Sequence, residues 1–265
     1  MSRLSQAFEK ARAEGRSALV IYLCAGDPSL ELTPELVVAA AEAGADIIEL
    51  GVPFSDPTAD GLAIQRASER ALARGTTLAG VLGAVRKIRE KTDVPLVQFG
   101  YYNPILRYGE ERLAKDAAAA GVDGLLVVDL PPEEAASLRE PAIRAGLDFV
   151  PLVAPTSDDR RLALASEAAT SFVYSVSMTG VTGSAGVDLA DAGRRSVELS
   201  QKLGRPIALG FGIKTPEDVR AVAGKADGIV VGSAIVDTIA SAPSPAEAVA
   251  NVRSLVAALA AATKG

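Results

Sequence analysis

The sequence has no histidine and no tryptophan, and one cysteine among 265 residues. Each absence excludes something. Without histidine there is no Ser-His-Asp or Cys-His nucleophile system, and no imidazole ligand for a catalytic zinc. Acid–base work near neutral pH must then fall to carboxylates, tyrosine, lysine or the cysteine. A single cysteine cannot form an intramolecular disulfide, which suits a reducing compartment. Cys24 lies inside the apolar run ALVIYLCAG and reads as a small buried hydrophobe. Aromatic residues make up only 4% of the chain, so the interior must be built from Val, Ile, Leu and Ala. There is no long basic run and the formal net charge is -6, which argues against nucleic acid or an anionic membrane as the main partner. An anionic metabolite, held by a few local donors, is compatible with that charge. No run approaches ~18 uninterrupted apolar residues, so no membrane span is expected. The opening MSRLSQAFEKARAEG is polar and helix-prone, without the apolar core of a signal segment. The expected location is cytoplasmic.

What is present is a rhythm. Short apolar, β-branched runs alternate with Ala-rich amphipathic segments. The expected strands are Ala18–Ala25, Asp46–Val52, Pro95–Tyr101, Gly124–Asp129, Phe149–Val153, Ser171–Val176, Ile207–Gly210 and Gly228–Val231. Helical segments between them include 34–43, 62–73, 78–91, 110–120, 133–145, 159–168, 190–203 and 216–223, with a closing helix near 245–262. Several open on a cap signal followed by proline or acids, as at Thr215-Pro216-Glu217-Asp218. Several end in glycine, and the recurring "AGxD" reads as a helix stop followed by strand entry. Near-continuous apolar strands, each followed by a helix, imply a parallel sheet covered on its outer face. Eight such units favour a (β/α)8 TIM barrel with an extra N-terminal helix, one domain over residues 1–265. A doubly wound open sheet is the alternative. No GxGxxG follows the first strand to support it.

In such a barrel function collects on the loops after the C-terminal ends of the strands. Three late loops, SVSMTGVTGSAG, LGFGIKTPED and VVGSAIVD, carry glycine in a pattern suited to an anion. Glycine lets backbone N–H groups approach an oxyanion, and a short helix starting at Gly232-Ser233 would point its positive end the same way. Gly183, Gly212, Gly232 and Ser233 are the candidates, with Gly210 read as structural. Within Asp46–Val52, alternation puts Ile47 and Glu49 on one face and Ile48 and Leu50 on the other. An inward Glu49 would open to the mouth, where apolar neighbours raise a carboxyl pKa toward a useful value. The bland reading of Glu49 is a salt bridge to a helix arginine. Asp60 can be an N-cap for the helix 62–73 or a functional acid, and spacing alone does not decide. Asp56-Pro57 reads as turn chemistry. Tyr174 can reach the mouth or pack in the core. No lysine falls inside a strand, so imine catalysis is not expected, and no metal site is expected either.

The segments AGDP, ELGVPFSDPTADG, YYNPI, DLPPEE, TGVTG, GFGI and VGSAIV occur in this order. Together they closely resemble the tryptophan synthase α-subunit family over essentially the whole chain. The resemblance implies retro-aldol cleavage of indole-3-glycerol phosphate to indole and glyceraldehyde 3-phosphate. It implies that Glu49 moves protons at indole C3 and the glycerol hydroxyl, and that Asp60 accepts the indole N–H and steadies the positive charge. It places Tyr22, Tyr101, Tyr174, Thr182, Gly183, Gly212, Gly232 and Ser233 at the substrate. It implies two mobile loops, 53–61 and roughly 177–189, that exclude water on closing. It implies a β-subunit partner in an α2β2 heterotetramer, facing Pro53, Asp56, Asn103, Asp129 and Pro131. That partner carries pyridoxal phosphate (PLP) and consumes indole; no cofactor is expected in this chain. Cys24, Thr58, Leu62 and Tyr22 stand where the family more often has Thr, Leu, Pro and Phe. A standalone lyase, a non-catalytic activator of a partner and a sugar-phosphate isomerase are the competing readings. The isomerase would need a second acid–base member beside Asp129, and none is evident.

Overall fold

The computed structural model describes residues 1–176, 188–210 and 212–264. Its strands are β1 (Ala18–Cys24), β2 (Ile47–Gly51), β3 (Leu96–Gly100), β4 (Gly124–Val127), β5 (Asp148–Phe149), β6 (Leu152–Val153), β7 (Val173–Val176), β8 (Ile207–Gly210) and β9 (Gly228–Val231). They form one parallel sheet in the order β5-β4-β3-β2-β1-β9-β8-β7-β6. The two outermost strands are halves of the expected fifth strand. Asp148–Phe149 pairs with β4, and Leu152–Val153 pairs with β7. Pro151 between them has no N–H to give a ladder. The break nevertheless stays bonded on both edges: Val150 N–H donates to Leu125 C=O at 2.9 Å, and Tyr174 N–H donates to Pro151 C=O at 3.0 Å. The sheet therefore closes on itself through this one segment, as a (β/α)8 barrel.

Period-2 alternation divides the core in two. Val20, Tyr22, Ile47, Val97, Phe99, Leu126, Phe172, Tyr174, Ala208 and Val230 fill the barrel interior. Leu19, Ile21, Ile48, Leu50, Leu96, Leu125, Ile229 and Val231 face the surrounding helices. The N-terminal helix Arg3–Ala13 puts Leu4, Ala7, Phe8 and Ala11 into the interior cluster. Phe8 meets the Phe172 ring at 5.0 Å, so this helix plugs the bottom of the barrel.

The acids of "AGxD" do more than mark strand entry. Asp46 Oδ2 accepts Leu19 N–H at 2.8 Å, and Asp123 Oδ2 accepts Leu96 N–H at 2.8 Å. The backbone N–H of each Asp returns the bond to the carbonyl of the same residue, at 2.8 and 2.9 Å. Thr170 and Phe149 repeat the reciprocal pair, with a hydroxyl in place of the carboxylate. Asp227 accepts from Ile207 N–H at 2.9 Å. Each side chain satisfies a strand-entry donor that the parallel ladder leaves over.

The helices Leu62–Ala73, Glu110–Ala120 and Asp159–Ala168 fall as expected, and a short helix, Ser233–Ala240, follows β9. The segment expected as helix 133–145 is a 3-10 turn, Pro132–Glu134, followed by Ala136–Arg144. One helix, Tyr102–Tyr108, is absent from the sequence-based expectations. It is short and contains Pro104, and its first N–H is held from another loop, by the Asp129 carboxylate at 2.7 Å. A local reading has no access to that tertiary cap.

Candidate active site

Glu49 is the third residue of β2, in register with Tyr22 of β1 and Val97 of β3. Its side chain follows Ile47 into the barrel interior and is 1% exposed. Oε1 is buried and has no hydrogen-bond partner among the described residues. No salt bridge there involves Glu49, so the arginine pairing weighed from sequence is not what this acid does. Burial pushes its carboxyl pKa up to about 8. A charge left without a partner in an apolar site takes up a proton instead.

Aromatic side chains surround it. Tyr22 stands edge-on to Phe99 at 5.2 Å, and Phe99 lies 6.4 Å from Tyr174. Both tyrosines are nearly fully buried, and burial raises both phenol pKa values well above the ordinary range. Two glycines make room for them. A Cβ on Gly51 would collide with the Tyr22 hydroxyl, and one on Gly210 would collide with the Tyr174 hydroxyl. Gly210 is thus structural, as expected, and so is Gly51 of the ELG segment. Cys24 lies beside Ser68, 4.0 Å away, with burial pushing its thiol up to about 12, which fits an inert packing role.

Asp60 arrives from the loop after β2. Its N–H donates to Pro57 C=O at 3.0 Å, and its own carbonyl accepts from Gln65 Nε2 at 2.8 Å. The N-cap of helix Leu62–Ala73 is Gly61, with no side-chain bond. Asp60 is therefore not the cap that its position suggested. Asp60 is 7% exposed, and its carboxylate accepts from the Tyr101 hydroxyl at 3.1 Å. Burial raises the pKa to about 6, with the Tyr101 bond pulling the other way. The helix that follows is clamped behind the site. Arg70 Nε and Nη2 bind both oxygens of buried Asp27, in the loop after β1, at 2.8 and 2.7 Å. Neither that pair nor the Tyr101–Asp60 bond is legible from spacing, because each joins residues from different βα units.

The glycine-bearing ends of β8 and β9 lie side by side. Gly212 has a φ of 84°, in the left-handed region that favours glycine. Gly232 precedes the helix Ser233–Ala240, and a side chain there would meet Tyr22 and Ile64 at 3.4 and 3.7 Å. Thr182 and Gly183, and most of the expected loop 177–189, lie outside the described residues. Of the expected partner-facing residues, Asp56, Asn103 and Asp129 are exposed, Pro131 is half-buried, and Pro53 is buried within this chain. Among the described residues there is no cluster of acids and cysteine suited to a metal ion. None of their helices is long and apolar enough to cross a membrane.

Closed barrel, buried acid at the mouth and glycine-bearing rim together define the class, a (β/α)8 barrel with a candidate acid–base site at the C-terminal ends of its strands. Comparison with known proteins gives the family. A profile of the tryptophan synthase alpha chain matches residues 8–264, and the chain belongs to that family. The tryptophan synthase alpha chain of Geobacter sp. (strain M21) is 52% identical over 236 residues, 89% of this chain and 88% of the relative. That of Citrifermentans bemidjiense is 53% identical over the same shares. The crystal structure of tryptophan synthase subunit alpha from Legionella pneumophila str. Paris matches with a TM-score of 0.91 at 35% identity. It covers 99% of this chain and 98% of that one. A Mycobacterium tuberculosis tryptophan synthase chain matches with a TM-score of 0.88 at 37% identity, covering 100% and 99%.

Proposed function

We propose that this chain cleaves indole-3-glycerol phosphate to indole and glyceraldehyde 3-phosphate, with Glu49 as the acid and base and Asp60 as the anion beneath the ring nitrogen. The observation that carries the assignment is a pair of buried, sparsely bonded carboxylates at the mouth: Glu49 Oε1 has no partner among the described residues, and Asp60 is held by the Tyr101 hydroxyl. Burial raises both pKa values, Glu49 further. Glu49 stands at about 8 and Asp60 at about 6. Between them Glu49 holds a proton while Asp60 is ionised, which is the pairing the reaction needs. The Glu49 proton goes to indole C3, leaving a positively charged ring. Asp60 accepts the ring N–H and offsets that charge. The Glu49 carboxylate then takes the proton of the glycerol hydroxyl, a carbonyl forms, the C–C bond breaks, and its electron pair neutralises the ring. Glu49 ends as it began. Gly212, Gly232 and Ser233, with Gly183, are assigned to the phosphate. Tyr22 and Tyr174, with Thr182, are assigned to the ring and glycerol pocket.

Indole release from indole-3-glycerol phosphate tests this reading. The rate against pH should be bell-shaped, with limbs near the two pKa values. A protein that binds the substrate yet releases no indole contradicts it and favours a non-catalytic activator. We further propose one barrel domain acting in the cytoplasm, with a β subunit that carries PLP. The α2β2 contacts would use Pro53, Asp56, Asn103, Asp129 and Pro131. Assay with and without a β subunit separates this from a standalone lyase, since only the paired enzyme should be strongly activated.

A further inference from the structure

Tyr101 has no proton to move in that sequence, yet its hydroxyl is the one side-chain group bonded to the Asp60 carboxylate among the described residues. We propose that Tyr101 is a positioning residue for Asp60: its phenol fixes one carboxylate oxygen so that the other is the acceptor left for the substrate's ring N–H. The inference rests on the assignment of Asp60 as that acceptor.

The geometry assigns the direction of each bond. Ala59 N–H donates to Tyr101 Oη at 3.0 Å, and Tyr101 Oη lies 3.1 Å from Asp60 Oδ2. A backbone N–H can only donate, so the oxygen is the acceptor there, and the phenol's single hydrogen points at Oδ2. Two consecutive groups of the loop thus converge on one oxygen. That oxygen is placed from outside the loop. Tyr101 directly follows β3 and is the N-cap residue of helix Tyr102–Tyr108, whose first N–H Asp129 holds. Tyr101 is 4% exposed, and its ring lies 5.1 Å from the Phe54 ring, tilted by 32°. A rigid strand end therefore sets where the loop's carboxylate sits. The hydroxyl also favours the ionised form of Asp60, against burial. Losing it should both loosen the carboxylate and protonate it at higher pH.

The test is Tyr101→Phe, which keeps the ring and its packing. We expect kcat to fall by roughly 10–100-fold with KM changed less, as for loss of orientation in the transition state. The acid limb of the pH profile should move up by about half a unit to one unit. Adding Tyr101→Phe to Asp60→Asn should cost little more, because both act through one group. Titration of a 13C-labelled Asp60 carboxyl, in the free protein, reads the same shift without substrate. An unmoved Asp60 titration, or an equal further loss on Asp60→Asn, overturns the proposal. A wild-type chain that releases no indole would sink the lyase reading. The carboxyl titration would still decide whether Tyr101 holds Asp60.

Discussion

The acids at the two ends of the barrel are treated in opposite ways. At the bottom, Asp46 accepts from both nitrogens of the Arg16 fork at 2.6 and 2.8 Å and from Leu19 N–H. Asp123 accepts from Arg89 at 2.6 Å, Arg3 at 3.1 Å and Leu96 N–H. At the mouth, Glu49 Oε1 is buried among aromatic rings with no partner among the described residues, and Asp60 has one phenol. The bottom carboxylates are held in place by arginines and strand N–H groups and serve the fold. The mouth carboxylates are left under-partnered, which costs stability, and burial raises the pKa of each. The same chemical group is thus tied down or left sparsely bonded according to how many donors the fold supplies.

The contrast can be broken most severely by Glu49→Gln, which should cut kcat by roughly 10³-fold or more while leaving the fold intact. Steady-state indole release measures it; substantial turnover by a well-folded variant would end the assignment. Asp60→Asn should lose about 10²–10³-fold, since one stabilising anion is removed but the acid stays. At the other end, Asp123→Ala should leave turnover per folded molecule unchanged. It should lower unfolding free energy by roughly 2–4 kcal/mol, because Arg89 and Leu96 N–H lose their shared partner. Denaturant melts report that value, and a loss of turnover with unchanged stability would erase the distinction between the two ends.

The smallest effect sharpens the comparison through pH. The folded-state pKa of Glu49 stands above its ordinary value of 4.5, at about 8. The stability this gives is complete below the unfolded pKa and is lost as pH rises through about 8. Glu49→Gln carries no charge to bury. It should therefore be more stable than wild type by roughly 1–3 kcal/mol above about pH 9, and no more stable near about pH 5. Equal stability at both pH values would mean that Glu49 is not confined to an unpartnered site.

Much of this is legible in the chain. The eight apolar runs locate the barrel, and alternation puts Glu49 and Ile47 on one face; that this is the inner face needs the structure. The lack of histidine by itself directs acid–base chemistry to carboxylates. Spacing does not resolve Asp60: a residue two before a helix reads as well for a cap as for a catalyst, and only the observed Gly61 cap removes the first reading. The break at Val150-Pro151 is hidden because both halves are apolar, and only the pairing partners divide them. The strand-entry acids read as punctuation. Their role as acceptors needs the neighbouring strand, which lies 27 residues away for both Asp46 and Asp123. Sequence reports what a residue is next to along the chain. The chemistry here depends on what it is next to across the sheet.

The most direct test is the titration of the Glu49 carboxyl itself, by 13C NMR of glutamate-labelled protein with Glu49→Gln used to assign the signal. The expected midpoint is near 8. A midpoint near the ordinary 4.5 would contradict it, because Glu49 would then be an anion at neutral pH with no proton to give to the ring.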